Sequence, residues 1–358
     1  MRLALALVVV ALLMAVSIWR DPSPATALAQ ARMPAGTAHT GKAFRFNKVA
    51  EGVYHAVGTG ALQVVGNSAV IVNDDDVMIV DDHVSPAAAW VLLEEVKELT
   101  PKPVRYVVNT HFHFDHAHGN QVFGPNVEII GHEFTRQMLA GGKSAAMPLF
   151  RNYVAGLPAQ IDGLRKRVAA ETAPEAKAKL QTPLQAAESN AASQAEFRSV
   201  PPTVTLRTEM TLHRGSREIQ LRFLGRGHTG GDVVVFLPRE RLVITGDFLT
   251  SGLSNLSDSY PDEWVTSLEA LKKLPFDTVL PGHGEAFTDK AKIDYFQAWL
   301  RDVWTGVGQL KKQGVSFEEA AKRVDLTRHK GNIPAIQGPG IPVIGAQRIY
   351  ELMDTPAR

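Results

Sequence analysis

The sequence predicts an α+β fold arranged as a four-layer sandwich. Short β-branched runs separated by turn residues gather in two halves of the chain, one starting at Gly52 and the other near Thr203. Segments of helical period complete each half. Several strands also run straight into polar loops bearing histidine or aspartate, the place where a rigid strand end positions chemistry.

From the N-terminus, residues 1–29 read as a signal peptide. Arg2 supplies a positive start, residues 3–18 are an apolar run, and Ala27-Leu28-Ala29 offers the small residues of a cleavage site. The run is shorter than the ~20 residues a spanning helix needs. Cleavage after Ala29 is expected, giving a periplasmic or secreted protein with no stable membrane anchor. Residues 30–48 are small and polar and are expected to be a flexible mature N-terminus.

The main domain is expected over residues 49–312. Strands are predicted at 53–57, 62–65, 69–72 and 77–80, with a turn at Asn73-Asp74-Asp75-Asp76. A helix follows at 86–99, a buried strand at 104–108, another strand at 127–130 and a helix at 133–139. Residues 145–198 are rich in Ala, Gln, Glu and Lys and read as a helical insertion, either a solvated hairpin or a lid. Within it, Pro174 is placed at one helix start and Thr182-Pro183 as the cap and first turn of another. The second half predicts strands at 204–206, 210–213, 219–225, 232–237, 241–245 and 278–280, with helices at 261–271 and 290–312. A C-terminal helical extension over 313–358 opens on a capping box, Ser316 with Glu319. A Gly- and Pro-rich loop at 331–342 then precedes a last short helix.

Composition narrows the chemistry. The 358 residues are 45% hydrophobic and 21% charged, enough for a sizeable core. A net charge of +1 gives no field to attract nucleic acid or an anionic membrane. There is no cysteine, so disulfides, thiol nucleophiles and thiolate metal sites are excluded. Any metal must rest on histidine and carboxylate.

The hexapeptide His111-Phe112-His113-Phe114-Asp115-His116 leaves a predicted strand. In extended backbone, residues two apart face one side, so His111 and His113 can clasp one ion. Asp115 and His116 lie past the strand end, where a turn can aim them at a neighbouring ion. Three further candidates also sit at strand ends beside glycine: His228 in Gly227-His228-Thr229-Gly230-Gly231-Asp232, Asp247 after Thr245-Gly246, and His283 in Pro281-Gly282-His283-Gly284. Each is bland alone; together they form a histidine and carboxylate set suited to a borderline cation.

In this order and these strand contexts the chain resembles the metallo-β-lactamase superfamily over roughly residues 50–290. The family pattern is an early aspartate, here Asp81, then H-x-H-x-D-H, a histidine, an aspartate and a final histidine. The resemblance implies an αββα sandwich with its site along one edge of the paired sheets. It implies one metal on His111, His113 and His228, a second on Asp115, His116 and His283, and Asp247 between them. Asp81 would support a metal-binding loop. Asp82 and His83 carry no clear role, and His118 lies outside the pattern.

Two zinc ions are the implied cofactor, with iron or manganese as alternatives. A metal-bridging hydroxide would attack the substrate, and Asp115 would orient it and receive its proton. The expected activity is that of an exported binuclear hydrolase of an ester, lactone or lactam-like bond in a small molecule. A phosphoesterase of the same fold, or a catalytically silent metal-binding protein, are the alternatives. Aspartate at 247, where true β-lactamases of the family carry cysteine or serine, argues against dedicated β-lactamase function. The aromatic and apolar residues Phe112, Phe114, Leu249, Tyr260 and Trp264 are read as core rather than site.

Overall fold

The computed structural model describes residues 32–355. The signal peptide and its cleavage point lie outside them. The described chain forms β1 (Phe44–Ala50), β2 (Val53–Gly58), β3 (Ser68–Val72), β4 (Val77–Val80), α1 (Pro86–Leu99), β5 (Val104–Val108), α2 (Phe114–Ala117), β6 (Glu128–His132), α3 (Glu133–Leu139) and α4 (Lys143–Ala146). It continues through α5 (Pro148–Ala170), α6 (Pro174–Ala195), β7 (Val204–Leu206), β8 (Glu209–Arg214), β9 (Arg217–Phe223), β10 (Val233–Leu237), β11 (Leu242–Gly246) and α7 (Pro261–Lys272). The last elements are β12 (Thr278–Pro281), α8 (Ala291–Lys312), α9 (Phe317–Arg323) and α10 (Val343–Asp354).

The strands make two mixed sheets, one in the order β1-β2-β3-β4-β5-β6-β7 and the other β12-β11-β10-β9-β8. Alternation along the strands builds the layers. Ala69 and Ile71 of β3 and Val233, Val235 and Leu237 of β10 meet in an inter-sheet core with Met78, Val108, Ile130 and Ile244. The intervening residues face outward: Val70 and Ile79 pack on Ala88, Val91, Leu92 and Val96 of α1. On the other side Val234, Phe236 and Val243 pack on Trp264, Leu268, Phe296, Leu300 and Val303 of α7 and α8. Both faces of the central strands are buried, which explains their unbroken apolar runs. The result is the expected αββα sandwich.

Three local expectations need correction. Residues 44–48 are not flexible: they begin β1, which pairs antiparallel with β2 from Phe44↔Gly58 onward, and Phe44 is buried in the α1-side core. Residues 62–65 form no strand. Leu62 packs into the same core while the chain detours, because Gly66 and Asn67 are recruited to the functional site described below. Pro183 does not start a helix but lies inside α6. Proline there removes one backbone donor, and its ring crowds the carbonyl four residues back; the packing of α6 on α5 and α1 carries the helix through. Pro174 does open α6, and Ser316 caps α9 by accepting from the Glu319 N–H. Among the described residues no helix is long and apolar enough to cross a membrane.

The insertion is two long helices, α5 and α6, that pack on each other and, through α6, on α1. Ser193 Oγ accepts the Ala87 N–H (2.9 Å) and the Gln194 side-chain amide donates to the Val84 carbonyl (2.8 Å).

Candidate metal centre

The functional side chains come from the C-terminal ends of strands that point the same way. Asp81 follows β4; His111 and His113 follow β5, which runs parallel to β4; Asp115 and His116 lie on α2. His228 is in the β9–β10 connection, Asp247 follows β11, and His283 follows β12, which is parallel to β11. Strand direction therefore delivers seven residues, from His111 to His283, to one edge of the sandwich.

There they form three overlapping groups whose ligand atoms lie within 4.8 Å of one another: His111, His113 and His228; Asp115, His116 and His283; and His111, His116 and Asp247. Asp247 faces both triads. Its Oδ2 is 3.7 Å from His228 Nε2 and 3.3 Å from His283 Nε2, and its Oδ1 is 3.5 Å from His116 Nε2. Asp115 Oδ2 lies 3.1 Å from His283 Nε2. The triads are buried except for His283, whose side chain is 35% exposed and marks the open side.

The surroundings fix which ring nitrogen faces inward. Asp81, fully enclosed, accepts from the Thr110 N–H (2.7 Å), the Thr110 hydroxyl (2.8 Å) and His116 Nδ1–H (2.8 Å). Because the Thr110 hydroxyl donates to Asp81, it accepts from His111 Nδ1–H, 3.0 Å away. His113 Nε2–H donates to Asp258 Oδ2 (2.9 Å), which leaves Nδ1 facing His228 Nε2 at 2.9 Å. In each case the outer nitrogen is engaged as a donor, so the inner one is the nitrogen turned toward the cluster, the orientation that metal-ligating histidines need.

A cation fits this set. His111 Nε2, His116 Nε2 and Asp247 Oδ1 are buried with no hydrogen-bond partner among the described residues. Leaving such groups unmet costs about 1–3 kcal/mol each, a deficit that an ion at their focus removes. Burial pushes the His228 ring down to about 3 and His111 well below its ordinary value, so both are neutral, the ligand form. Burial alone would raise the carboxyl of Asp247, but the surrounding His283 and His116 outweigh it and hold the group at about 2.

Backbone fit is equally tight. A Cβ on Gly282 would stand 2.4 Å from Asp247 Oδ1, and one on Gly66 would stand 2.8 Å from the Asp115 carbonyl. Only glycine lets these loops close on the cluster. Asn67 locks them together: its N–H donates to the Gly282 carbonyl (2.7 Å) and its side-chain amide to the Gly284 carbonyl (2.8 Å). Asp232 secures the His228 loop by accepting from the N–H and hydroxyl of Thr229.

The structure thus brings together all seven sequence-predicted ligands and places Asp81 behind His116 and Thr110. His118 is elsewhere, stacked on Phe197 with ring centres 3.9 Å apart and edge-on to Phe150. His83 bonds Ser68 and Asp82 accepts from the Gly119 N–H, both behind the cluster. Phe112, Leu249 and Trp264 are core, as read from sequence, and Phe114 is buried at the edge of the α1-side core. Sequence reasoning missed Asp258 and Thr110, because nothing local distinguishes a supporting polar residue in a loop from any other. The start of the insertion reaches the site: Met147, Leu149 and Phe150 share a small cavity with Phe112, His113 and Asp258.

Residues 62–283 match the family described as the metallo-beta-lactamase superfamily. A type 2 metallo-beta-lactamase of Bacillus sp. (strain 170) is 33% identical over 90 residues, 24% of this chain and 35% of that protein. A linear primary-alkylsulfatase of Pseudomonas sp. (strain ATCC 19151) is 23% identical over 274 residues, 70% of this chain. The chain thus matches about a third of the first relative's length and 48% of the second's. Among solved structures, a metallo-beta-lactamase from Pontibacter korlensis aligns with a TM-score of 0.51 at 18% identity, over 72% of this chain and 99% of that one, a likeness of fold. The family match takes in Asp81 and all seven candidate ligands, and with the two-sheet sandwich and its edge cluster it identifies the chain as a member of the metallo-beta-lactamase superfamily.

Proposed function

We propose that the protein is a hydrolase with a two-metal centre, most simply two zinc ions, that cleaves an ester, lactone or lactam-like bond in a small molecule. The observation that carries this reading is the pair of triads with Asp247 facing both, in which Thr110, Asp258 and Asp81 turn one nitrogen of His111, His113 and His116 inward. His111, His113 and His228 would hold one ion, Asp115, His116 and His283 the other, and Asp247 would lie between. Such ions lower the pKa of bound water toward neutrality and polarise the substrate's oxygen. The chain's own residues do the rest. Asp115 Oδ2, at the open side beside His283, would orient the attacking water and accept its proton. Asp81, Thr110 and Asp258 keep the imidazoles in the ligating tautomer. Half-exposed His283 leaves the approach for a small substrate.

Aspartate at 247 supports ester or lactone chemistry over dedicated β-lactam hydrolysis, and the likeness to an alkylsulfatase over 70% of the chain supports a small ester substrate. The apolar run at 3–18 with Ala27-Leu28-Ala29 supports an exported, periplasmic or secreted enzyme. Near-zero net charge speaks against nucleic acid as substrate. The test is hydrolysis of a lactone, an alkyl ester, a thioester, a β-lactam and a phosphodiester, each with and without chelator. Chelator-sensitive turnover of a carbonyl ester or lactone is expected. Turnover of the phosphodiester alone would select the phosphoesterase instead, and protein that binds no metal would end the reading.

A further inference from the structure

The loop after Asp247 touches the metal cluster at both ends. Ser251 Oγ donates to the His283 carbonyl (3.3 Å), Ser254 Oγ donates to the Asp247 carbonyl (2.8 Å), and Asp258 holds His113. The middle of the same loop, residues 253–256, forms one wall of a cavity of about 460 Å³. Residues 335–342, Trp299 and Leu326 complete its lining. The 335–342 segment is tied down: the Gly340 and Ile341 N–H groups donate to the Val324 and Ala321 carbonyls, both at 2.8 Å. Its volume lies within the ~300–1,000 Å³ typical of small-molecule sites.

The lining states what the cavity takes. Leu256, Trp299, Leu326 and Ile336 are buried, and no lining residue carries an ionisable side chain. A charged group here would lose hydration and meet no counter-charge, only the side chains of Ser254, Asn255 and Gln337, whereas a hydrocarbon gains by leaving water. The Trp299 indole N–H is buried without a partner among the described residues, leaving an unmet donor beside the cavity.

We infer that this cavity seats an uncharged alkyl or acyl chain of the substrate, whose scissile bond lies at the metal cluster on the other side of the loop. The inference rests on the ester-hydrolase reading above and adds the substrate class: a small ester with a hydrocarbon tail. One loop then joins tail recognition to the ligands His283, Asp247 and His113.

The test separates binding from turnover. Zinc-loaded protein is titrated with 1-butanol, 1-hexanol and 1-octanol while tryptophan fluorescence is followed, and kcat/KM is measured for methyl, butyl, hexyl and octyl acetate. Affinity and kcat/KM are expected to rise with chain length, by up to about fourfold per CH2 at full burial. The fluorescence change should vanish in Trp299→Phe. Two substitutions at exposed positions perturb the cavity without entering the core or the cluster. Ala335→Trp fills it, and Asn255→Asp puts a charge in it while keeping the acceptor for the Ser257 N–H. Both should flatten the chain-length series and leave zinc content and methyl acetate turnover as in the wild type. Ester turnover with no chain-length dependence, or one unchanged in both variants, overturns the cavity assignment and leaves the hydrolase reading standing. Alcohol binding that both variants abolish, in zinc-loaded protein that turns over no ester, overturns the hydrolase reading and with it the assignment to a substrate tail.

Discussion

Replacing Asp81 tests whether the cluster depends on a preset tautomer. Asp81 satisfies three buried donors: the Thr110 N–H, the Thr110 hydroxyl and His116 Nδ1–H. Truncation to alanine would orphan all three, at about 1–3 kcal/mol each, or about 3–9 kcal/mol together. That approaches the ~5–15 kcal/mol total stability of a domain, so Asp81→Ala would confound folding with metal binding. Asparagine is the sharper probe. Asp81 has φ 63, a left-handed conformation that asparagine tolerates and most residues do not. With its oxygen kept toward the Thr110 N–H, its amide replaces Oδ2 and becomes a donor toward His116 Nδ1. In the neutral form that ligation requires, the remaining ring proton must then sit on Nε2, the nitrogen facing Asp115 and Asp247 at 3.6 and 3.5 Å. An ion at that triad loses a lone pair. Loss of such a supporting contact typically weakens metal affinity by about 10–100-fold, or about 1.4–2.7 kcal/mol. Chelator-competition titration with zinc, alongside circular dichroism to verify folding, reads this directly. Folded Asp81→Asn with a wild-type competition curve would refute the tautomer argument.

Further expectations follow from the same geometry. Asp258→Ala should weaken zinc binding at the His111, His113 and His228 triad by about 10–100-fold, because His113 loses the acceptor that orients it; stepwise zinc titration measures it. Asp115→Ala should abolish turnover of whichever ester or lactone the wild type hydrolyses, and chelator-free metal analysis should show whether the second ion is also lost. Metal affinity should rise with pH. Burial pulls His116 and His283 down, but Asp115, Asp247 and Asp81 around His116 and Asp247 and Asp115 around His283 outweigh it, raising them to about 9 and about 11. Both rings are thus protonated in the metal-free protein at neutral pH and must release protons to ligate. Apparent affinity should climb by up to about tenfold per pH unit for each proton displaced, the climb ending as pH passes each raised pKa. Calorimetry in buffers of different ionisation enthalpy counts the protons, and a count of zero would remove the basis of this expectation.

The sequence by itself determined the layered fold and the candidate ligand set, because both are written in local pattern. β5, β7 and α1 appear at the predicted residues, since apolar runs of strand length and a capped helical period admit few other conformations. The ligand motif is compact, and its remaining members stand beside glycine at strand ends, so His111, His113, Asp115, His116, His228, Asp247 and His283 are legible from residue order alone. Tertiary structure decided what depends on partners distant in the chain. β1 exists because β2 offers an edge to pair with, and residues 62–65 leave the sheet because Gly66 and Asn67 are needed against α2 and the His283 loop. Pro183 survives within α6 because packing outweighs a local preference. Asp258 is 145 residues from His113, and its hydrogen bond exists only once the β11–α7 loop folds back over the strand ends. Supporting residues have no spacing rule to betray them. Their role is set by where the chain returns in space, which no local pattern encodes.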